Sequence, residues 1–152
     1  MGGDDTRWPA SERVPAPDAL DHAALALELL QKQPVLGDKI SSGTHVQGRE
    51  VPRLLTEVLR FLHLVASGDQ VLTPSRPVDL AWHEFILCTR IYGAFCRRHF
   101  GRMIHHQPGG MEDENNSQFD QTLALYQRYF GPPLAAYWLP GADCGACRSA
   151  NS

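Results

Sequence analysis

The stretch Val51-Pro-Arg-Leu-Leu-Thr-Glu-Val-Leu-Arg-Phe-Leu-His-Leu-Val-Ala66 decides the fold. Val51, Leu55, Val58, Leu62 and Val65 step by four and three, with Leu54 and Phe61 alongside. That spacing stacks side chains on one side of an α-helix, and it is the strongest periodicity in the chain. Pro52 suits the first turn, where a missing N–H costs nothing. Ser67-Gly68-Asp69 ends the helix, because glycine accepts the left-handed cap conformation.

On the N-terminal side, Asp18 can cap a helix running to about Gln33, with Leu20, Ala23, Leu27 and Leu30 on one face. Pro34 to Gly48 is rich in Gly, Ser and Asp and reads as a loop that contains His45. Residues 1–17 carry three prolines and small polar groups and read as a flexible arm.

On the C-terminal side, Pro77 suits the start of another helix. Asp79 lies in its first turn, and Val78, Trp82, Phe85 and Ile86 form its apolar face. A second segment covers about Arg90 to Phe100 with Ile91 and Phe95 inward, a bend at Gly93 and a stop at Gly101. Residues 107–117 read as a polar loop. A last helix, capped by Asn116 or Ser117, bears Phe119, Leu123, Tyr126 and Phe130 before Gly131-Pro-Pro133 breaks it. There is no internal repeat and no alternating strand pattern. The expectation is an all-α bundle of four to six helices over residues 18–140, followed by a tail, 141–152, that carries Cys144 and Cys147.

Composition narrows the function. Fourteen Lys and Arg against seventeen Asp and Glu leave a net charge of −3. No basic stripe is visible, so a nucleic-acid partner is not expected. The apolar runs fall short of a bilayer span, so no membrane partner is expected either. No apolar signal-peptide core precedes the first helix, which points to the cytoplasm, where thiols stay reduced. The four cysteines, Cys88, Cys96, Cys144 and Cys147, then read as ligands, redox groups or small buried hydrophobes.

The chemistry is concentrated in residues 77–106, which hold Asp79, His83, Cys96, His99, His105 and His106. Imidazoles and thiols titrate or bind metals near neutral pH. Asp79 and His83, at i and i+4, share a helix face. The carboxylate can take a hydrogen bond from one ring nitrogen and leave the other for a metal or a proton. The plainer reading of the same pair is a half-buried histidine next to a capping aspartate. Adjacent His105 and His106 point in different directions, so one faces a site and the other faces solvent or a second shell. Cys96 and His99 have a chelating i, i+3 spacing, although Cys96 beside Phe95 also reads as core. Cys144-x-x-Cys147 can bite a tetrahedral metal but supplies only half of a structural site, so histidines must complete it. HExxH, P-loop and dinucleotide fingerprints are absent.

Asp79-Leu-Ala-Trp82-His83, then Tyr92, Cys96, Phe100-Gly101 and His105-His106, resembles the shared block of the glycine-rich domain-containing protein-like family. The likeness covers roughly residues 50–106 and is to its short bacterial forms. It implies a helical fold and importance for Asp79, Trp82 and His83, and it supplies no reaction. Plant members often carry a second histidine where this chain has Phe85. A site needing that ligand would be absent here or rebuilt with His105 or His106.

Three functions fit these residues. One is a small metal-binding protein with His83, His105 or His106 and Cys144/Cys147 as ligands. Zinc suits that set best, with iron or copper as alternatives. The second is a non-enzymatic module that binds a protein partner and whose histidines are structural. The third is a metal-free acid–base enzyme using Asp79 and His83.

Overall fold

The computed structural model describes residues 14–106 and 111–138. Within them lie seven α-helices and no strand: α1 His22–Lys32, α2 Pro34–Thr44, α3 Val51–Ala66, α4 Arg76–Leu87, α5 Thr89–Phe100, α6 Glu112–Phe130 and the single turn α7 Ala135–Trp138. Short 3-10 turns at Pro17–Ala19 and Gly48–Glu50 lead into α1 and α3.

α3 is the axis. Leu54, Leu55, Val58, Leu59, Phe61 and Leu62 are all fully buried, because α1, α2, α4 and α6 pack around it. Arg53, Thr56, Glu57, Arg60 and His63 form the polar side of this amphipathic helix, and even there Thr56, Glu57 and His63 are buried. Each large apolar side chain in this core contributes roughly 1.5–3 kcal/mol of burial energy. Across this core, Phe61 meets Trp82 edge-on at 5.3 Å, and Phe85 meets Tyr92 at 4.9 Å.

The all-α architecture matches the sequence reading, with one helix more than its upper bound. The segment expected as a loop, Pro34 to Gly48, is mostly α2. Pro34 opens this helix, and Leu36 and Ile40, one turn apart, are fully buried. Its glycines mark close approach rather than a break. A Cβ on Gly37 would stand 3.3 Å from Leu30, and one on Gly43 would run into Glu84 of α4. The helix ends at His45, whose φ of 64° takes the left-handed position usually given to glycine.

Three boundaries also differ. Asp21, not Asp18, caps α1 by accepting from the Ala24 amide at 3.0 Å. Its buried face is His22 and Ala26, with Leu25, Leu29 and Leu30 packed beside them, while Ala23 and Leu27 face out. α6 starts at Glu112, earlier than the Asn116 or Ser117 cap, because Glu112, Asp113 and Glu114 favour the positive helix end. α5 runs through Gly93 as one helix, and a Cβ there would come within 3.3 Å of the Arg97 guanidinium. Gly101, with φ 72°, stops α5 as expected. Val14 and Pro17, expected within the flexible arm, are buried.

One polar network runs from the edge of this core into it. Glu57 of α3 is 2% exposed. Its Oε1 accepts from the Tyr126 hydroxyl at 2.5 Å and from Trp138 Nε1 at 2.7 Å. Its Oε2 lies 3.4 Å from Arg60 Nη1, which also donates to the Tyr126 oxygen at 2.8 Å. The Arg60 guanidinium stands over the Phe130 ring at 5.1 Å. One carboxylate therefore ties α6 and α7 to α3, and the buried donors it satisfies would otherwise be costly.

Candidate functional site

The site begins with a chain of hydrogen bonds between α4, α5 and the turn after them. Trp82 Nε1 donates to the Tyr92 hydroxyl at 3.0 Å, and that hydroxyl donates to the Ile104 carbonyl. All three residues are buried. Tyr92 is thus held as a neutral phenol, its pKa pushed well up by burial. The Cys96 thiol lies against the Tyr92 hydroxyl and the Ile104 backbone, and burial raises its pKa too. A thiol so placed is unreactive packing.

This chain fixes where the backbone goes after Gly101. With Ile104 pinned, His106 turns back over α4. Its Nε2 meets Asp79 Oδ1 at 2.7 Å, and its ring packs on Trp82 with centroids 4.6 Å apart. The His83 ring stands edge-on to it at 6.4 Å. In the neutral ring, the bond to Asp79 puts the proton on Nε2 and leaves the Nδ1 lone pair for a ligand. His106 and Asp79 are half-buried, and His83 is exposed.

The sequence-predicted residues divide accordingly. Asp79, His83 and His106 converge, and His105 faces solvent, so the adjacent pair splits as its geometry required. The partner of Asp79 differs from the sequence reading. Its hydrogen bond goes to His106, 27 positions away, rather than to His83 one turn along α4. Cys96 and His99 do not form a chelate: Cys96 faces Tyr92 and Ile104, while His99 packs on Phe95 at 4.5 Å. Cys144 and Cys147 lie outside the described residues. Among the described residues, no group of three or more His, Cys, Asp or Glu side chains is arranged to hold a metal ion.

Charge near the cluster is uneven. No acidic residue occurs between Glu84 and Glu112, and Arg90, Arg97, Arg98 and Arg102 are all exposed. This is a basic stretch of a chain whose net charge is −3. No described helix is long and apolar enough to cross a membrane. A shallow cleft lined by Leu64, Leu72, Leu125 and Tyr129 does not include Asp79, His83 or His106.

Sequence reasoning missed a second histidine pair. His22 Nε2 meets His63 Nδ1 at 2.9 Å, and His63 Nε2 meets the Pro15 carbonyl at 2.8 Å. Both rings are buried. The sequence did not mark it: His63 stands within the apolar run Phe61 to Val65, but on the polar side of α3 with Arg53, Thr56, Glu57 and Arg60.

Fold and site together define a small all-α protein with a histidine–carboxylate cluster at one helix–turn junction. The family model described as UCP032817-like matches residues 27–129, and the chain belongs to that family. The matched span contains the whole of α2 through α5 and the Asp79–His83–His106 cluster. It does not contain Pro15, His22, Cys144 or Cys147. No curated protein and no solved structure matches the chain.

Proposed function

We propose that the protein is a small metal-binding helical module, and that zinc is held by His106 and His83 with Asp79 orienting His106. The observation that carries this reading is the 2.7 Å bond from His106 Nε2 to Asp79, made beside a second imidazole. Carboxylate–histidine pairs of this kind commonly stand behind a metal ligand, fixing the ring and raising its basicity. Two imidazoles on one tetrahedral zinc place their ring centroids roughly 5 Å apart. The rings stand 6.4 Å apart, so shared binding requires the exposed His83 to move toward His106. Two neutral ligands leave a dication short of negative charge. Thiolates offset that shortage, so Cys144 and Cys147 are the natural remaining ligands, making a Cys2His2 set. The same cluster includes the residues that resemble the glycine-rich domain-containing protein-like family, and we extend the kinship to this chain as part of the proposal.

A second reading, a protein-interaction module with structural histidines, is favoured by the lack of a three-ligand group among the described residues. Zinc titration of single variants separates the two. His106→Ala and His83→Ala lower zinc affinity by about 10-fold or more each, and His105→Ala leaves it unchanged. Cys144→Ser with Cys147→Ser lowers it as well. An interaction module gives equal, weak zinc binding across the whole series and only a loss of stability at His106.

A further inference from the structure

We propose that the zinc at this junction is an exchangeable cargo, handed by direct ligand exchange to an acceptor bearing thiolates or imidazoles, and that it does not hold the fold together. This rests on the metal-binding reading above. A filled Cys2His2 sphere ordinarily points the other way. In small zinc modules the ion takes the place of a core, and its binding energy is folding energy. Three features of this chain oppose that role.

The first is the core. Leu54, Leu55, Val58, Leu59, Phe61 and Leu62 of α3 are fully buried, with α1, α2, α4 and α6 packed around them. α4, which carries Asp79 and His83, is anchored from within. Val78, Ala81 and Phe85 are fully buried, and the Trp82 ring meets Phe61 at 5.3 Å.

The second is the junction itself, which protein groups hold. Tyr92 accepts from the Trp82 indole and donates to the Ile104 carbonyl, and Phe85 packs on its ring. With Ile104 fixed, His106 is set by Asp79 and by the Trp82 ring. The buried donors and acceptors of this chain of contacts satisfy one another. A zinc ion gains preset ligands here and supplies no contact that the junction needs.

The third is access. The side chains of Asp79 and His106 are 45% and 24% exposed, and His83 is exposed. An incoming ligand therefore reaches the ion without any helix moving. His83 must swing toward His106 to bind and away to let go. Such a swing of an exposed side chain is fast compared with unfolding. Zinc still raises the melting temperature by mass action, but the stripped chain stays folded.

Zinc transfer from the loaded full chain to the chromophoric chelator pyridylazo resorcinol, followed by absorbance, tests this. Direct ligand attack makes the transfer rate rise in proportion to chelator concentration. The stripped chain keeps its helical circular dichroism and takes zinc back. Glu57→Ala weakens the core and touches none of the proposed ligands, so it leaves the transfer rate unchanged. A structural ion waits for unfolding. Its transfer is independent of chelator concentration and faster in Glu57→Ala, and the stripped chain loses its helices. Any one of these three results overturns the proposal and leaves zinc binding standing. A chain that binds no zinc overturns the metal-binding reading and this inference with it. If Glu57→Ala does not fold, the chelator dependence and the state of the stripped chain decide.

Discussion

Glu57→Ala lowers the stability of the protein by about 3–5 kcal/mol, the range expected when one partner is removed from a buried, hydrogen-bonded charge network. The side chain is 2% exposed and satisfies Tyr126, Trp138 and Arg60 at once. Alanine leaves the buried tyrosine and indole donors without their acceptor. Arg60, whose side chain is 31% exposed, keeps its bond to the Tyr126 oxygen and its access to water, so the cost falls mainly on the buried tyrosine and indole. For a chain of this length, the loss corresponds to a drop of about 10 °C in melting temperature. Glu57→Gln is milder because its amide oxygen still accepts from Tyr126 and Trp138, and only the bond to Arg60 is lost. Thermal unfolding of the two variants side by side measures this. Equal, small effects from both would mean that the network does not hold α6 and α7 to α3.

Tyr92→Phe has the second large effect, and it reaches the proposed site. The variant removes one oxygen and leaves the Trp82 indole donor and the Ile104 carbonyl unpaired, costing about 2–3 kcal/mol. It also unpins Ile104, two residues before His106. The His106–Asp79 bond then loses its fixed geometry, and zinc affinity falls by about 10-fold although no ligand has changed. The two readouts can disagree. A variant that loses stability but binds zinc normally would show that Tyr92 supports the core and does not position the histidine.

These effects show what the sequence could reveal. α3 was legible because its apolar residues fall at helical spacing and it is surrounded on nearly all sides. α2 was not, because Gly37, Gly43, Ser41 and Ser42 give it the composition of a loop. There, glycine allows α1 and α4 to approach closely, and only Leu36 and Ile40 carried the helical signal. The Asp79-Trp82-His83 block was found, but with the wrong partner for Asp79. Spacing along one helix brings His83 to mind, whereas His106 arrives only through the left-handed turn at Gly101 and the anchor at Ile104. Glu57, His22 and His63 were overlooked because a buried polar group is explained by its tertiary partner. Glu57 and His63 share the polar side of α3 with Arg53, Thr56 and Arg60, so the sequence alone does not mark them as buried.

The account turns on whether His106, oriented by Asp79 and set beside His83, holds a metal. Elemental analysis of the full chain, purified without chelator, tests this most directly. The prediction is about one zinc per chain, removed by a strong chelator with a fall in melting temperature and missing from His106→Ala. A folded chain that carries no zinc, gains none from added salt and melts at the same temperature with or without chelator would contradict it.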